Sequence, residues 1–228
     1  MAWFDCAVRR PISGHTSGPL RAQRGLVLHH AVANGSLYDR FNSPAVEAST
    51  QFWVARSGLI EQYLDSTMSA WATGSNTGNM EYNSVETEGC VSPPYADPMT
   101  PEMVAALARL YAEGNARHGW AFQLCNSVGQ NGFGYHRLFF NTACPCDVRL
   151  SARQEILDQA QGKPPKPPEP PPTPEGIPVS AIVIGDQLHN FAEVPDPKTG
   201  LYYHWWQFLP GKGQNPPKSF WVEALPTS

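Results

Sequence analysis

Gly25-Leu26-Val27-Leu28-His29-His30 is a short apolar run that ends abruptly in two imidazoles. Its apolar residues are consecutive, include the β-branched Val27, and stop where the histidines begin, so it reads as a buried strand. A histidine at the end of such a strand leaves the core and can face a cleft. A structural histidine is nevertheless the commoner reading of such a pair taken alone.

Outward from this strand, the pattern alternates between strand and helix. Phe52-Trp53-Val54-Ala55, Arg56-Ser57-Gly58 and Leu59-Ile60-Glu61-Gln62-Tyr63 read as a hairpin around a glycine turn. Ser84-Val85-Glu86-Thr87-Glu88 alternates with period two, which places both glutamates on one strand face. Thr100-Pro101-Glu102 opens a helix running to about His118: Thr100 is an N-cap, Pro101 sits in the first turn, and Met103, Leu107, Leu110 and Tyr111 recur at helical spacing. Ser151 to Gln161 reads as a second helix. Strands mixed with helices predict an α/β or α+β domain around a central sheet.

Residues 162–178, GKPPKPPEPPPTPEGIP, end this pattern. Proline supplies no backbone donor and favours polyproline II, so the segment predicts a semi-rigid spacer of about 3 Å per residue. A PxxP ligand for a partner is the less favoured reading of the same run. The expected organisation is therefore a larger α/β or α+β domain over 1–161, a linker over 162–178 and a small all-β module over 179–228. In that module Ala181-Ile182-Val183-Ile184, Tyr202 to Phe208 and Phe220-Trp221-Val222 are strand-like, and an SH3-like barrel is the expected form.

Composition narrows the function. The chain has 228 residues, 41% of them hydrophobic, and a net charge of −4, so no basic surface advertises a nucleic-acid partner. No stretch approaches the roughly 20 apolar residues of a membrane span. The start, Met1-Ala2-Trp3-Phe4-Asp5-Cys6, lacks the basic and apolar regions of a signal peptide, so synthesis without one in a cytoplasm is expected. Five cysteines, an odd number, argue against a disulfide framework. Cys6, Cys90 and Cys125 read as small buried side chains.

Chemistry concentrates in Gly134-Tyr135-His136-Arg137 and Thr142-Ala143-Cys144-Pro145. A His and a Cys separated by one short loop can converge on one metal ion. Zinc accepts imidazole nitrogen and thiolate sulfur in tetrahedral geometry, and a catalytic site leaves one position open. His29 is the best candidate for a third ligand. The competing reading is an unrelated α/β protein whose histidines and cysteines are structural.

Taken together, these segments resemble the amidase-2 family, which includes phage and bacterial N-acetylmuramoyl-L-alanine amidases and peptidoglycan recognition proteins. The resemblance covers about residues 20 to 150. It rests on the strand ending at His29, the hairpin with its Arg56-Ser57-Gly58 turn, Ala70-Trp71-Ala72-Thr73-Gly74, Val85-Glu86-Thr87-Glu88-Gly89, and the segments carrying His136 and Cys144. It implies an α/β fold with a central mixed β-sheet flanked by helices, and zinc on His29, His136 and Cys144. It also implies Glu86 as general base, with Glu88 as the alternative, and Thr142 as a hydrogen-bond donor to the developing oxyanion. Cys146, two residues past Cys144, is the less favoured third ligand, because Cys144 precedes Pro145 as in the family. His30 is expected on the opposite strand face in a structural role, and His15, His118, His189 and His204 lie in no motif. Three departures stand out: Gln51 and Thr73 stand where the family carries histidine, and Tyr135 is inserted between Gly134 and His136.

The implied function is that of an endolysin. It would hydrolyse the amide between N-acetylmuramic acid and L-alanine of bacterial peptidoglycan, reach the wall after holin-dependent release, and work as a monomer. Tyr202, Tyr203, Trp205, Trp206, Phe208 and Trp221 make wall carbohydrate the expected ligand of the C-terminal module. The alternative is a recognition protein of the same fold that binds peptidoglycan without cutting it; retention of Cys144 favours cutting.

Overall fold

The computed structural model describes residues 2–163 in full and, beyond them, the backbone of three strands. The chain divides into two compact units, 1–166 and 167–228.

The first unit is built on a sheet of six strands: β1 (Val8–Arg9), β2 (Gly25–Leu28), β3 (Phe52–Val54), β4 (Ile60–Gln62), β5 (Asn83–Thr87) and β6 (Gly132–Tyr135). Their spatial order is β1-β4-β3-β5-β2-β6. β3 and β4 form the antiparallel hairpin expected from the glycine turn, while β2 pairs in parallel with both β5 and β6, and β5 with β3. The sheet is therefore mixed, with a parallel centre. Gly25 and Gly132 face each other across the β2–β6 pair, and a Cβ on Gly25 would fall onto the Gly132 carbonyl oxygen. That close approach requires glycine.

Among the described residues, five α-helices and one 3-10 turn (His136–Leu138) complete the unit: α1 (Tyr38–Phe41), α2 (Asn76–Glu81), α3 (Pro101–His118), α4 (Asp147–Ser151) and α5 (Arg153–Ala160). α3 begins as the sequence predicts, with the Thr100 hydroxyl accepting the Met103 N–H at 3.1 Å, and ends at Gly119 in the left-handed region. The helix expected over Ser151–Gln161 is observed as α5, and α4 just before it, ending at Ser151, was not expected. β1, β6, α1 and α2 carry too few periodic residues to be read from sequence.

Strand alternation separates the two sheet faces. Leu26, Leu28, Phe52, Val54, Val85 and Phe133 pack with Met103, Leu107, Leu110 and Tyr111 of α3 and with Ile156 and Leu157 of α5. Each fully buried aliphatic side chain there contributes about 1.5–3 kcal/mol. Trp53 packs instead with Leu37, Phe41 and Tyr63, and Val27 with Tyr82 and Cys125. The candidate site residues lie at the end of this second face.

In the second unit, β7 (Ser180–Ile184), β8 (Gln187–Pro195) and β9 (Tyr202–Leu209) form an antiparallel sheet in chain order. β7 and β9 run over the segments Ala181–Ile184 and Tyr202–Phe208, with β8 between them. Residues 164–179, with most of the proline-rich segment, and the run Phe220-Trp221-Val222 lie outside the described residues.

Candidate active site

Three neighbouring strands of one sheet bring the predicted residues level. Leu28 of β2 is in register with Val85 of β5 and with Tyr135 of β6. One residue further on, His29 stands between Glu86 and His136, all three at the carboxyl ends of parallel strands and on the same face. The His29 N–H continues the ladder to the Val85 carbonyl at 2.9 Å, and the Thr87 hydroxyl donates to the His29 carbonyl at 2.6 Å. The backbone carrying His29 is thus held on two sides.

The His29 and His136 Nδ1 atoms lie 3.0 Å apart, and one donor atom each from His29, His136 and Cys144 falls within 4.8 Å of the others. Cys144 arrives from the loop after β6, where its Sγ accepts the His30 N–H at 3.2 Å. Glu86 Oε1 is 3.8 Å from His29 Nδ1, whereas Glu86 Oε2 is closed off from solvent and has no hydrogen-bond partner. Glu88 is spent elsewhere: its carboxylate accepts the Gly35 and Arg56 N–H groups, each at 2.7 Å. Of the two glutamates, only Glu86 stands beside the histidines. Thr142 Oγ1 accepts the Cys144 N–H at 3.2 Å and keeps its own hydrogen to donate.

Burial sets the protonation of this cluster. Desolvation, with help from His136 and His30, pushes His29 well below the usual histidine range, and burial also lowers His136. Both are therefore neutral imidazoles near pH 7, the form that ligates metal. Burial, then the charge of Glu86, raises the Cys144 thiol, and burial pushes Glu86 up to about 8. Two nitrogens and one sulfur at this spacing, beside a carboxylate oxygen with no partner, suit a borderline-soft divalent cation such as zinc. Two imidazoles bound to one zinc would place their nitrogens about 3.3 Å apart.

The sequence profile of the N-acetylmuramoyl-L-alanine amidase family matches residues 19–147. The chain belongs to this family. Its fold is shared with PlyL (12% identity, TM-score 0.52, covering 66% of this chain and 96% of that one). The same holds for a selenomethionine derivative of AmpD (19%, 0.51, 68% and 96%) and for Drosophila peptidoglycan recognition protein (PGRP)-SA (14%, 0.51, 66% and 92%). At these identities the likeness is one of fold. No curated protein sequence matches the chain.

Family membership makes the chain a hydrolase of the N-acetylmuramoyl-L-alanine amidase type. Two of the three departures from the family pattern, Gln51 and Thr73, are fully buried in this amidase-family domain. Gln51 bridges the Met68 carbonyl and the Ser84 N–H, at 2.8 and 2.7 Å, and Thr73 donates to Asn79 at 2.8 Å. Both side chains serve the frame around the site.

Sequence reasoning missed Arg149. It is fully buried in α4, and its guanidinium donates to the Thr87 hydroxyl (2.7 Å) and to the Glu88 (2.8 Å) and Asp97 (2.9 Å) carbonyls. It braces the β5 end that carries Glu86. No local spacing signals this, because its partners lie 52 to 62 residues away.

Proposed function

We propose that this chain is a zinc-dependent endolysin that hydrolyses the amide between N-acetylmuramic acid and L-alanine in bacterial peptidoglycan. The observation that carries this reading is the level row Glu86–His29–His136, with Cys144 completing a donor set within 4.8 Å.

His29, His136 and Cys144 would hold the zinc. When bound, zinc supplies Lewis acidity: it polarises the scissile carbonyl and acidifies water. Glu86 takes the proton from the attacking water and delivers it to the departing L-alanine nitrogen. Its environment suits that exchange, since a carboxylate with a raised pKa is a stronger base and a ready donor afterwards. The Thr142 hydroxyl donates a hydrogen bond to the carbonyl oxygen as that oxygen gains charge. His29 and His136 stay neutral, and Thr87 and Arg149 keep the strand ends in place.

The catalytic unit would act at the wall once released from the cell that made it, as a monomer, with the module over 179–228 holding wall carbohydrate. Support for that module is its position and the aromatic run along β9, Tyr202 to Phe208. No helix among the described residues is long and apolar enough to cross a membrane.

The test pairs zinc content with turbidity loss on purified cell walls for the wild type and for Cys144→Ala. Lysis with new L-alanine N-termini, abolished in the variant together with one zinc per chain, supports the proposal. Zinc retention without cleavage on walls of several bacterial classes would make the chain a recognition protein. A wild type that holds no zinc after metal-replete purification would overturn the site.

A further inference from the structure

A second cluster lies on the opposite face of the same strand end. His30 follows His29 and so points the other way from it. Cys90 follows β5, and Cys146 stands at the start of α4, two residues past Cys144. One donor atom from each of His30, Cys90 and Cys146 lies within 4.8 Å of the others. We propose that these three residues form a second metal site, specific for a borderline-soft divalent cation such as zinc, that clamps the loop carrying Cys144.

Three observations carry this. The Cys90 and Cys146 sulfurs are 3.8 Å apart and both thiols are free. A disulfide would need about 2.05 Å, whereas two thiolates about 2.3 Å from a tetrahedral zinc sit about 3.8 Å from each other. Next, His30 is 8% exposed, and its Nδ1 is sealed from solvent without a hydrogen-bond partner. An imidazole nitrogen buried in this way is costly unless something binds it. Finally, the donor set is two sulfurs and one nitrogen, the chemistry zinc prefers over magnesium or calcium.

The two clusters are dealt from the same two short motifs. His29-His30 gives one imidazole to each face, and Cys144-Pro145-Cys146 gives one sulfur to each. They are adjacent through the backbone, since the His30 N–H donates to Cys144 Sγ. Metal binding at the second site releases two thiol protons to solvent and leaves the two thiolates and a dication neutral together. Its ligands join the ends of β2 and β5 to the start of α4, which bounds the loop holding Thr142 and Cys144. Three protein donors leave a fourth position to solvent.

The experiment measures zinc per full-length chain after metal-replete purification and dialysis. Two zinc ions are expected in the wild type, one in each of Cys90→Ser, Cys146→Ser and Cys144→Ala, and none in the Cys144→Ala/Cys146→Ser double variant. Because a variant could fail to fold, alkylation of Cys90 and Cys146 is also mapped by mass spectrometry in the wild type. Labelling is expected to rise at least tenfold when a chelator strips the zinc. A wild type with one zinc that Cys146→Ser retains, equal labelling with and without chelator, or a Cys90–Cys146 disulfide peptide from zinc-loaded protein would each overturn the site. If Cys146→Ser loses one zinc and Cys144→Ala loses none, the second site stands and the catalytic zinc falls.

Discussion

Two largely buried carboxylates of the one sheet stand in opposite circumstances. Glu61, on β4, has a side chain 6% exposed and is fully partnered: Arg10 donates at 2.6 Å, Tyr63 at 2.6 Å and Ser36 at 2.5 Å. Glu86, on β5, is 16% exposed and has one oxygen with no partner and the other 3.8 Å from His29. Burial alone would raise Glu61, but the hydrogen bonds from Ser36, Tyr63 and Arg10 outweigh it and hold the carboxyl below its ordinary range. At Glu86 burial wins. A buried acid whose partners are all supplied is part of the frame; one left wanting a partner is poised to receive one.

The largest expected effect breaks that comparison at Glu86. Glu86→Gln should lower wall hydrolysis by about 10²- to 10⁴-fold while thermal stability is kept, because the site loses a proton acceptor and the frame loses no bond. Activity within threefold of wild type would remove Glu86 from the mechanism. Glu61→Gln should do the reverse. It should cost about 1.5–3 kcal/mol in denaturant unfolding, the range for hydrogen bonds to a charged group, and leave hydrolysis per folded molecule unchanged.

Acid sharpens the same contrast. The folded pKa of Glu61 is depressed, so its contribution to stability is fully present above the unfolded carboxyl value of about 4.3 and is lost as pH falls through the lower folded value. Wild type should therefore lose stability faster than Glu61→Gln below about pH 4.3 in urea titrations. Parallel pH profiles would show that Glu61 is not held ionised. The smallest effect is expected from Ser36→Ala, about 1 kcal/mol, since Arg10 and Tyr63 remain on Glu61. A cost as large as that of Glu61→Gln would mean that the three bonds act as one unit.

Much of this was legible in the chain. The apolar run ending at His29, the glycine hairpin, the capped helix after Thr100 and the alternation around Glu86 are local patterns, and local patterns survive in one dimension. His136 and Cys144 were legible from their spacing, one short loop apart, and the amidase resemblance tied them to the distant His29. The short strand β6 was not legible, because Gly132-Phe133-Gly134-Tyr135 has no period of its own and becomes a strand by pairing with β2. Arg149 and the meeting of His30, Cys90 and Cys146 were equally hidden.

The sequence by itself determined the longer, patterned strands and helices and which residues have the chemistry to bind metal or move protons, since these depend on side-chain type and near-neighbour spacing. Tertiary structure alone decided which carboxylate stands beside the histidines and which cysteine serves which face. Parallel strands are joined by long connections, so their register is set by packing across the sheet. A shift of one residue in that register would turn His29 and Glu86 to opposite faces.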